Sequence, residues 1–140
     1  MSHDVKNSKC VIVVNEDLPV GLTVNAASVV SLTLGRSVPE LIGQDVKDAD
    51  GGVHLGITLI PVPILKAPAE RVAEIHRAAV ADPEVVVVGF SDLAQSCRTY
   101  EEYIERMAAA PAADLAYSSV GVFGPRKQLN KWTGSLALLR

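Results

Sequence analysis

The stretch Glu84-Val85-Val86-Val87-Val88-Gly89-Phe90 sets four valines in a row. Branching at Cβ favours extended backbone over helix. Successive side chains in a strand point to opposite faces, so an unbroken valine run is apolar on both. A strand of this kind needs cover above and below. In a chain of 140 residues that cover is expected from helices.

The flanking elements follow from periodicity and punctuation. Residues 9–14 read as a second buried strand, cut off by Asn15-Glu16-Asp17-Leu18-Pro19. From Val20 a helix carries one stripe of Val20, Val24, Ala27 and Leu34, and a second of Ala26, Val29 and Val30. Apolar on most sides, it is expected to be packed on most sides, with Gly35 ending it. Residues 41–57 read as a hairpin turning at Asp50-Gly51-Gly52. Pro61 and Pro63 place the next strand at an edge, with Ile64-Leu65-Lys66 paired. Residues 69–81 form an amphipathic helix on Val72, Ile75, His76, Ala79 and Val80. Thr99 to Glu102 is a capping box, and the helix it opens sets Tyr100, Tyr103, Ile104, Met107 and Ala108 at core spacing. Residues 115–124 are a further strand, and 133–139 an apolar tail in need of a docking place. The order β-α-hairpin-β-α-β-α-β predicts an α/β fold. Residues 9–140 form one domain with a mixed central β-sheet and helices on both faces, after a flexible N-terminus at 1–8.

Charge and composition narrow the partners. A net charge of −3 disfavours nucleic acid, and Arg126, Lys127, Lys131 and Arg140 read as a solvated face. Cys10 and Cys97 have neither metal nor disulfide spacing, and Cys10 reads as a small buried hydrophobe. No apolar run reaches membrane-spanning length and no leader pattern is found, so a reduced, cytoplasmic protein is expected. Asp45, Asp48 and Asp50 are explained by the hairpin tip, and His3, His54 and His76 are scattered. Neither a metal nor a cofactor is expected, and the phosphate-binding and nucleophile-elbow motifs are missing.

In α/β sheets, ligands collect beyond the carboxyl ends of strands. Two such ends carry polar clusters. Asn15 and Asp17 follow the first strand, with Thr23 and Asn25 early in the helix; Asp92, Gln95 and Ser96 follow the valine strand. Asp17 and Asp92 are the candidate catalytic carboxylates, each able to act as a general base. Asn15, Thr23, Asn25, Gln95 and Ser96 are the candidate ligand contacts. Asn25 is the most informative, because an amide on an apolar helix needs a partner. Each has a plainer reading as a turn, cap or loop residue. Were the two strands neighbours, the clusters would face each other across one crevice.

Lys9, Val11 to Val14, Asp17-Leu18, Gly21 and Ala26-Ala27 together resemble the start of the type II peptidyl-tRNA hydrolases. The stretch Ile64 to Asp92 is similar to that family's strand, helix and strand ending in aspartate. The glycine-proline and threonine-glycine-leucine pattern of the C-terminus matches too. The departures are specific. Leu22 and Thr23 follow Gly21 where those enzymes carry a catalytic lysine, and the glutamine and histidine of their helix are replaced around Ser28 to Ser31. Asp17-Leu-Pro-Val-Gly-Leu, His54-Leu-Gly-Ile-Thr, Asp92-Leu-Ala-Gln-Ser-Cys-Arg-Thr-Tyr and Thr133-Gly-Ser-Leu-Ala-Leu-Leu-Arg resemble more specifically the domain-of-unknown-function 2000 family. That resemblance implies a peptidyl-tRNA hydrolase II-like fold and, with apolar length to spare at 57–65 and 136–139, a homodimer.

Two functional readings follow. One is a hydrolase or transferase acting on a small polar substrate, with Asp17 or Asp92 as base. The alternative is a non-catalytic small-molecule binding or regulatory module, suggested by the missing lysine and histidine. Peptidyl-tRNA hydrolysis ranks third, given the acidic charge.

Overall fold

The computed structural model describes residues 3–140. Strand β1 (Ser8–Asn15) lies inside the sheet, and Cys10 to Val14 are all buried. Its side chains alternate strictly. Val11 and Val13 enter one core layer, and Cys10, Ile12 and Val14 the other. Burial pushes the Cys10 thiol up to about 11, so it behaves as the small hydrophobe expected.

Helix α1 (Val20–Ser37) covers the Ile12 face through Ala26, Val30 and Leu34. It packs closely there because β6 (Tyr117–Pro125) offers Gly121 beneath it. A Cβ at Gly121 would sit 2.7 Å from Leu34 Cδ1. Two expectations fail on this helix. Gly35 does not end it: the helix runs to Ser37, Val38 caps it by donating to Leu34 O, and Pro39 follows. Nor is α1 packed on most sides, since Val20 and Leu32 are each 78% exposed. One stripe carries the burial and the remaining apolar residues face water.

Two short strands, β2 (Val46–Lys47) and β3 (Val53–His54), pair as the expected hairpin, separate from the main sheet. Asp48 builds the turn: its Oδ1 accepts from Asp50 N and Gly52 N, both at 2.9 Å. His54 is not alone, because its Nε2 lies 2.8 Å from Asp48 Oδ2, and that contact holds the Asp48 carboxyl below its usual range.

Strand β4 (Ile64–Ala67) pairs parallel to β1 at one sheet edge. Helix α2 (Ala69–Val80) returns over the Val11 face on Val72, Ile75 and Ala79. Strand β5 (Val86–Ser91) holds the valine run, followed by a short α3 (Asp92–Ser96) and then α4 (Tyr100–Ala108). Thr99 caps α4, its Oγ1 accepting from Glu102 N at 3.1 Å, but the reciprocal half of the capping box does not form: Glu102 Oε1 accepts from Arg106 Nη1 instead. No residue of α4 is fully buried, however, and Tyr100 and Ile104 are exposed. Of its core-spaced residues, Tyr103 and Met107 are half-buried while Tyr100, Ile104 and Ala108 lie on the surface, because α4 packs mainly against α3 at the sheet margin. After β6 an additional helix, α5 (Arg126–Thr133), buries Leu129 in the α2 layer.

The main sheet has the order β4-β1-β6-β5, with β6 antiparallel to both its neighbours. The fold is therefore a single α/β domain with a mixed sheet, α1 on one face and α2 with α5 on the other. The valine strand has α1 on one face and α2 on the other, but it stands at an edge and Val86 to Phe90 are only partly buried. The C-terminal tail docks on the opposite edge, where Leu138 bridges Leu65. Met1 and Ser2 of the segment expected to be flexible lie outside the described residues. From His3 onward that segment is held: Val5 is buried, and His3 Nδ1 lies 3.1 Å from Glu40 Oε1. The polar sequence conceals Val5, whose burial gives the short turn Val5–Asn7 its anchor.

Candidate functional site

At the end of β1 the chain turns through Asn15, whose Oδ1 accepts from Asp17 N at 3.0 Å. This Asx turn makes Asn15 the organiser and leaves the Asp17 carboxylate in solvent. Thr23 is buried and its hydroxyl donates to Val20 O at 2.8 Å, so it faces its own helix rather than a crevice.

At the end of β5 the pairing register with β6 shifts between Phe90 and Ser91, and Ser91 pairs with Tyr117. Ser91 caps α3, its Oγ accepting from Ala94 N at 3.1 Å. Asp92 therefore occupies the first turn with an exposed carboxylate, while its backbone N–H donates to Ala116 O. Ser96 Oγ donates to Leu93 O at 2.7 Å and accepts from Arg106 Nη1 at 3.1 Å.

Strands β1 and β5 are not neighbours, because β6 runs between them. The two polar clusters consequently do not face each other directly. The link between them is Gln95. Its Nε2 donates to Leu22 O at 3.1 Å and to Asn25 Oδ1 at 3.3 Å, and its Oε1 accepts from the buried Ser118 Oγ at 2.7 Å. Asn25 and Gln95 are thus brought together, tying α3 to α1 and β6. Asn15 and Asp17 form a pair of their own, and Asp92 and Ser96 stand apart from both.

The cleft beside this network lies on the far side of α3. It measures about 520 Å³, within the range of small-molecule sites. Val29, Thr33 and Arg36 of α1 form one wall. Val88 and Phe90 of β5 form the apolar floor. Ala94, Cys97, Arg98 and Thr99 supply the opposite wall, and Tyr100 and Tyr103 the lip, their rings edge-to-face at 5.4 Å. The Gln95 network fixes the spacing of the two walls without lining the cleft. Cys97 is held by Leu93 O, to which its Sγ donates at 3.3 Å. Arg36 and the two tyrosines were not candidates in the sequence, and Arg98 stood there only as a residue just beyond the second polar cluster. The signal for the α1 wall is its i, i+4, i+7 spacing, but the strand order that sets it opposite residues 97–100 is not written locally.

A second cleft, of about 530 Å³, opens on the other face of β5 between α2 and the segment before β6. His76 stacks there on Tyr117, ring centroids 4.2 Å apart. Burial, and secondarily the charge of Arg77, holds the His76 pKa below its usual value, while burial raises that of Tyr117. No group of acidic, histidine or cysteine side chains is arranged to hold a metal ion among the described residues.

These features define a mixed-sheet α/β domain with a braced, half-open cleft against its edge strand. The family described as "Protein of unknown function (DUF2000)" matches residues 8–140, and the chain belongs to that family. Among solved structures, the chain is similar to the protein of unknown function Atu0240 from Agrobacterium tumefaciens strain C58. The two share 15% sequence identity at a TM-score of 0.86, covering 96% of this chain and 98% of that one. At this identity the likeness shows the fold. No match is found among the curated proteins.

Proposed function

We propose that this protein is a non-catalytic small-molecule binding domain whose ligand occupies the α1–β5–α4 cleft. The observation that carries the reading is the Gln95 network. It fastens α3 to α1 and β6 immediately beside a cleft of ligand size. Preorganised walls lower the ordering cost of binding. The hydrolase or transferase reading rests on Asp17 and Asp92. Both carboxylates are exposed, and among the described residues neither has a lysine, histidine or hydroxyl partner within hydrogen-bond reach. General base catalysis gains from such a partner and from desolvation, and neither is supplied here.

The proposal extends to a peptidyl-tRNA hydrolase II-like arrangement. In its support, the resembling residues Lys9 to Val14, Asp17-Leu18 and Ala26-Ala27 fall in order on β1, its turn and α1. A homodimer is proposed with it, supported by the apolar residues that the hairpin arm leaves in water. No helix among the described residues is long and apolar enough to cross a membrane.

The test is amide-shift mapping of the labelled protein against a library of small acids, amines, amides and nucleosides. Shifts are expected to centre on Thr33, Arg36, Gly89 and residues 97–100, with each binding compound recovered unchanged. Shifts centred on Asn15, Asp17 and Asp92, with turnover abolished by Asp92→Asn, would overturn the reading in favour of the hydrolase. Cleavage of a peptidyl-tRNA substrate that depends on Asp92 would do the same.

A further inference from the structure

We propose that the cleft takes a carboxylate carried on an apolar body, with Arg36 and Arg98 holding the charged end. This rests on the ligand-binding reading above and gives it a chemical class.

The first argument is an account of the arginines around the α3–α4 turn. Arg106 is committed: its Nη1 reaches Ser96 Oγ, Cys97 Sγ and Glu102 Oε1. Arg36 and Arg98, which line the cleft, have no carboxylate or hydrogen-bond partner among the described residues. The chain carries sixteen acidic residues against thirteen basic ones, so acidic partners are not scarce. Two unpaired arginines among the residues lining one cleft, in a protein of net negative charge, make a local site for an anion.

The second argument is independent and concerns the hydroxyls of α1. Thr23, Ser28 and Ser31 each donate to a carbonyl three or four residues back in the helix. Thr33, the α1 hydroxyl that lines the cleft, makes no such bond among the described residues and is free to donate across it.

The floor selects the rest of the molecule. Val88 and Phe90 belong to the partly buried layer under α1, while Gly89 between them faces the opposite side of the sheet. A polar ligand would leave that floor unused, whereas an alkyl or phenyl body would cover it. Tyr100, 71% exposed at the lip, can close over such a body.

A carboxylate fits better than a phosphate. Phosphate sites are usually built from backbone N–H groups at a helix start or glycine-rich nest. Here the α4 start is occupied by the Thr99 cap and carries Glu101 and Glu102 in its first turn. A dianion would be set against those carboxylates. A monoanion gripped by guanidinium forks from the side would suffer less repulsion.

The experiment titrates the labelled protein with 3-phenylpropanoate, its neutral amide and 2-phenylethyl phosphate, following the Thr33, Arg36 and Arg98 signals. The acid is expected to bind at least about tenfold more tightly than the amide, the difference of one charge-assisted contact. Arg36→Gln with Arg98→Gln should remove that preference, and an unchanged urea midpoint would show that the double variant is folded. Equal binding of acid and amide overturns the carboxylate assignment while leaving the cleft reading intact. Tighter binding of the phosphate ester also overturns it. If none of the three moves the cleft signals, this proposal fails, and the library mapping decides the cleft reading separately.

Discussion

His76 shows how one residue is held by its surroundings on three elements. It sits on α2, its ring lies against Tyr117 of β6, and both rings rest over Gly89 of β5. A Cβ at Gly89 would come within 2.7 Å of Tyr117 Cε1 and 2.8 Å of His76 Cδ2, so the stack exists only because that position lacks one. The consequence is a pH dependence of stability. Burial, with Arg77 adding to it, lowers the folded-state pKa of His76 below its ordinary 6.5. Below that ordinary value the unfolded chain takes up a proton that the folded chain resists. The contribution is therefore intact above the ordinary pKa and is lost as pH falls from it toward the lowered folded value. His76→Phe preserves the stack and cannot titrate. We expect the wild-type melting temperature to fall between about pH 7.5 and about pH 5.5 by more than that of His76→Phe. Equal falls in calorimetry would show that His76 is not the group responsible.

Among the elements, the two edges of the sheet are managed differently. The β4 edge is closed by the tail: Lys66 N donates to Ala137 O at 3.0 Å and Leu139 N to Ile64 O at 2.9 Å. Leu136 packs into the α2 layer and Leu139 into the α1 layer, so the tail clasps both sides of the strand. Truncation after Gly134 removes the core contacts of Leu136 and Leu139, each about 1 kcal/mol when partly buried, and the two backbone hydrogen bonds to β4, each about 1 kcal/mol. The expected loss is about 3–4 kcal/mol in urea unfolding, with light scattering rising as the bared edge seeks a partner. A truncated chain of wild-type midpoint would show the tail to be ornament. This tail was legible as apolar chain in search of a dock, just as the valine run was legible as a strand with a helix on each face. What remained hidden was order. Nothing local in Val86 to Ser91 says that β6, later in the chain, inserts between β5 and β1. For the same reason Asn15 and Asp92 read as neighbours in sequence logic and are separated in space. Asn25 was found because an amide on an apolar helix needs a partner whatever the topology, and Gln95 because it follows the carboxyl end of a strand. Arg36 escaped, and Arg98 drew no role, because an arginine at a helix end or in a turn is ordinary until the facing wall is known. The α1 boundary was misread because a glycine near a helix end is a common stop signal. Packing of Leu34 and Val38 carried the helix past it to the proline.

At the scale of the whole molecule, the least economical feature is the arm between α1 and β4. Its β2–β3 ribbon is outside the main sheet, and Leu55 and Ile57 are 78% and 80% exposed. Val46, Val53 and Leu59 are also more than half exposed. The arm is joined to its base by Gly43 N donating to Ile57 O and Leu59 N to Leu41 O, and by little apolar burial. A two-stranded ribbon is marginal on its own in water, and a run of exposed aliphatics marks an interface more often than a free surface. A second copy of the chain is the occupant that the proposed homodimer supplies. If the arm is that interface, opposed charges are not required, since its tip pairs Asp48 with His54 internally. The aliphatics alone should then control assembly. Sedimentation velocity at micromolar concentration is expected to give a dimer for the wild type and a monomer for Leu55→Glu combined with Ile57→Glu. Because both side chains are in water in the single chain, the monomer produced should keep its α/β circular dichroism and bind the cleft ligand as before. A wild-type monomer throughout the concentration range would remove the dimer. A dimer that survives both substitutions would move the interface elsewhere, with the uncovered β5 edge the next surface to test.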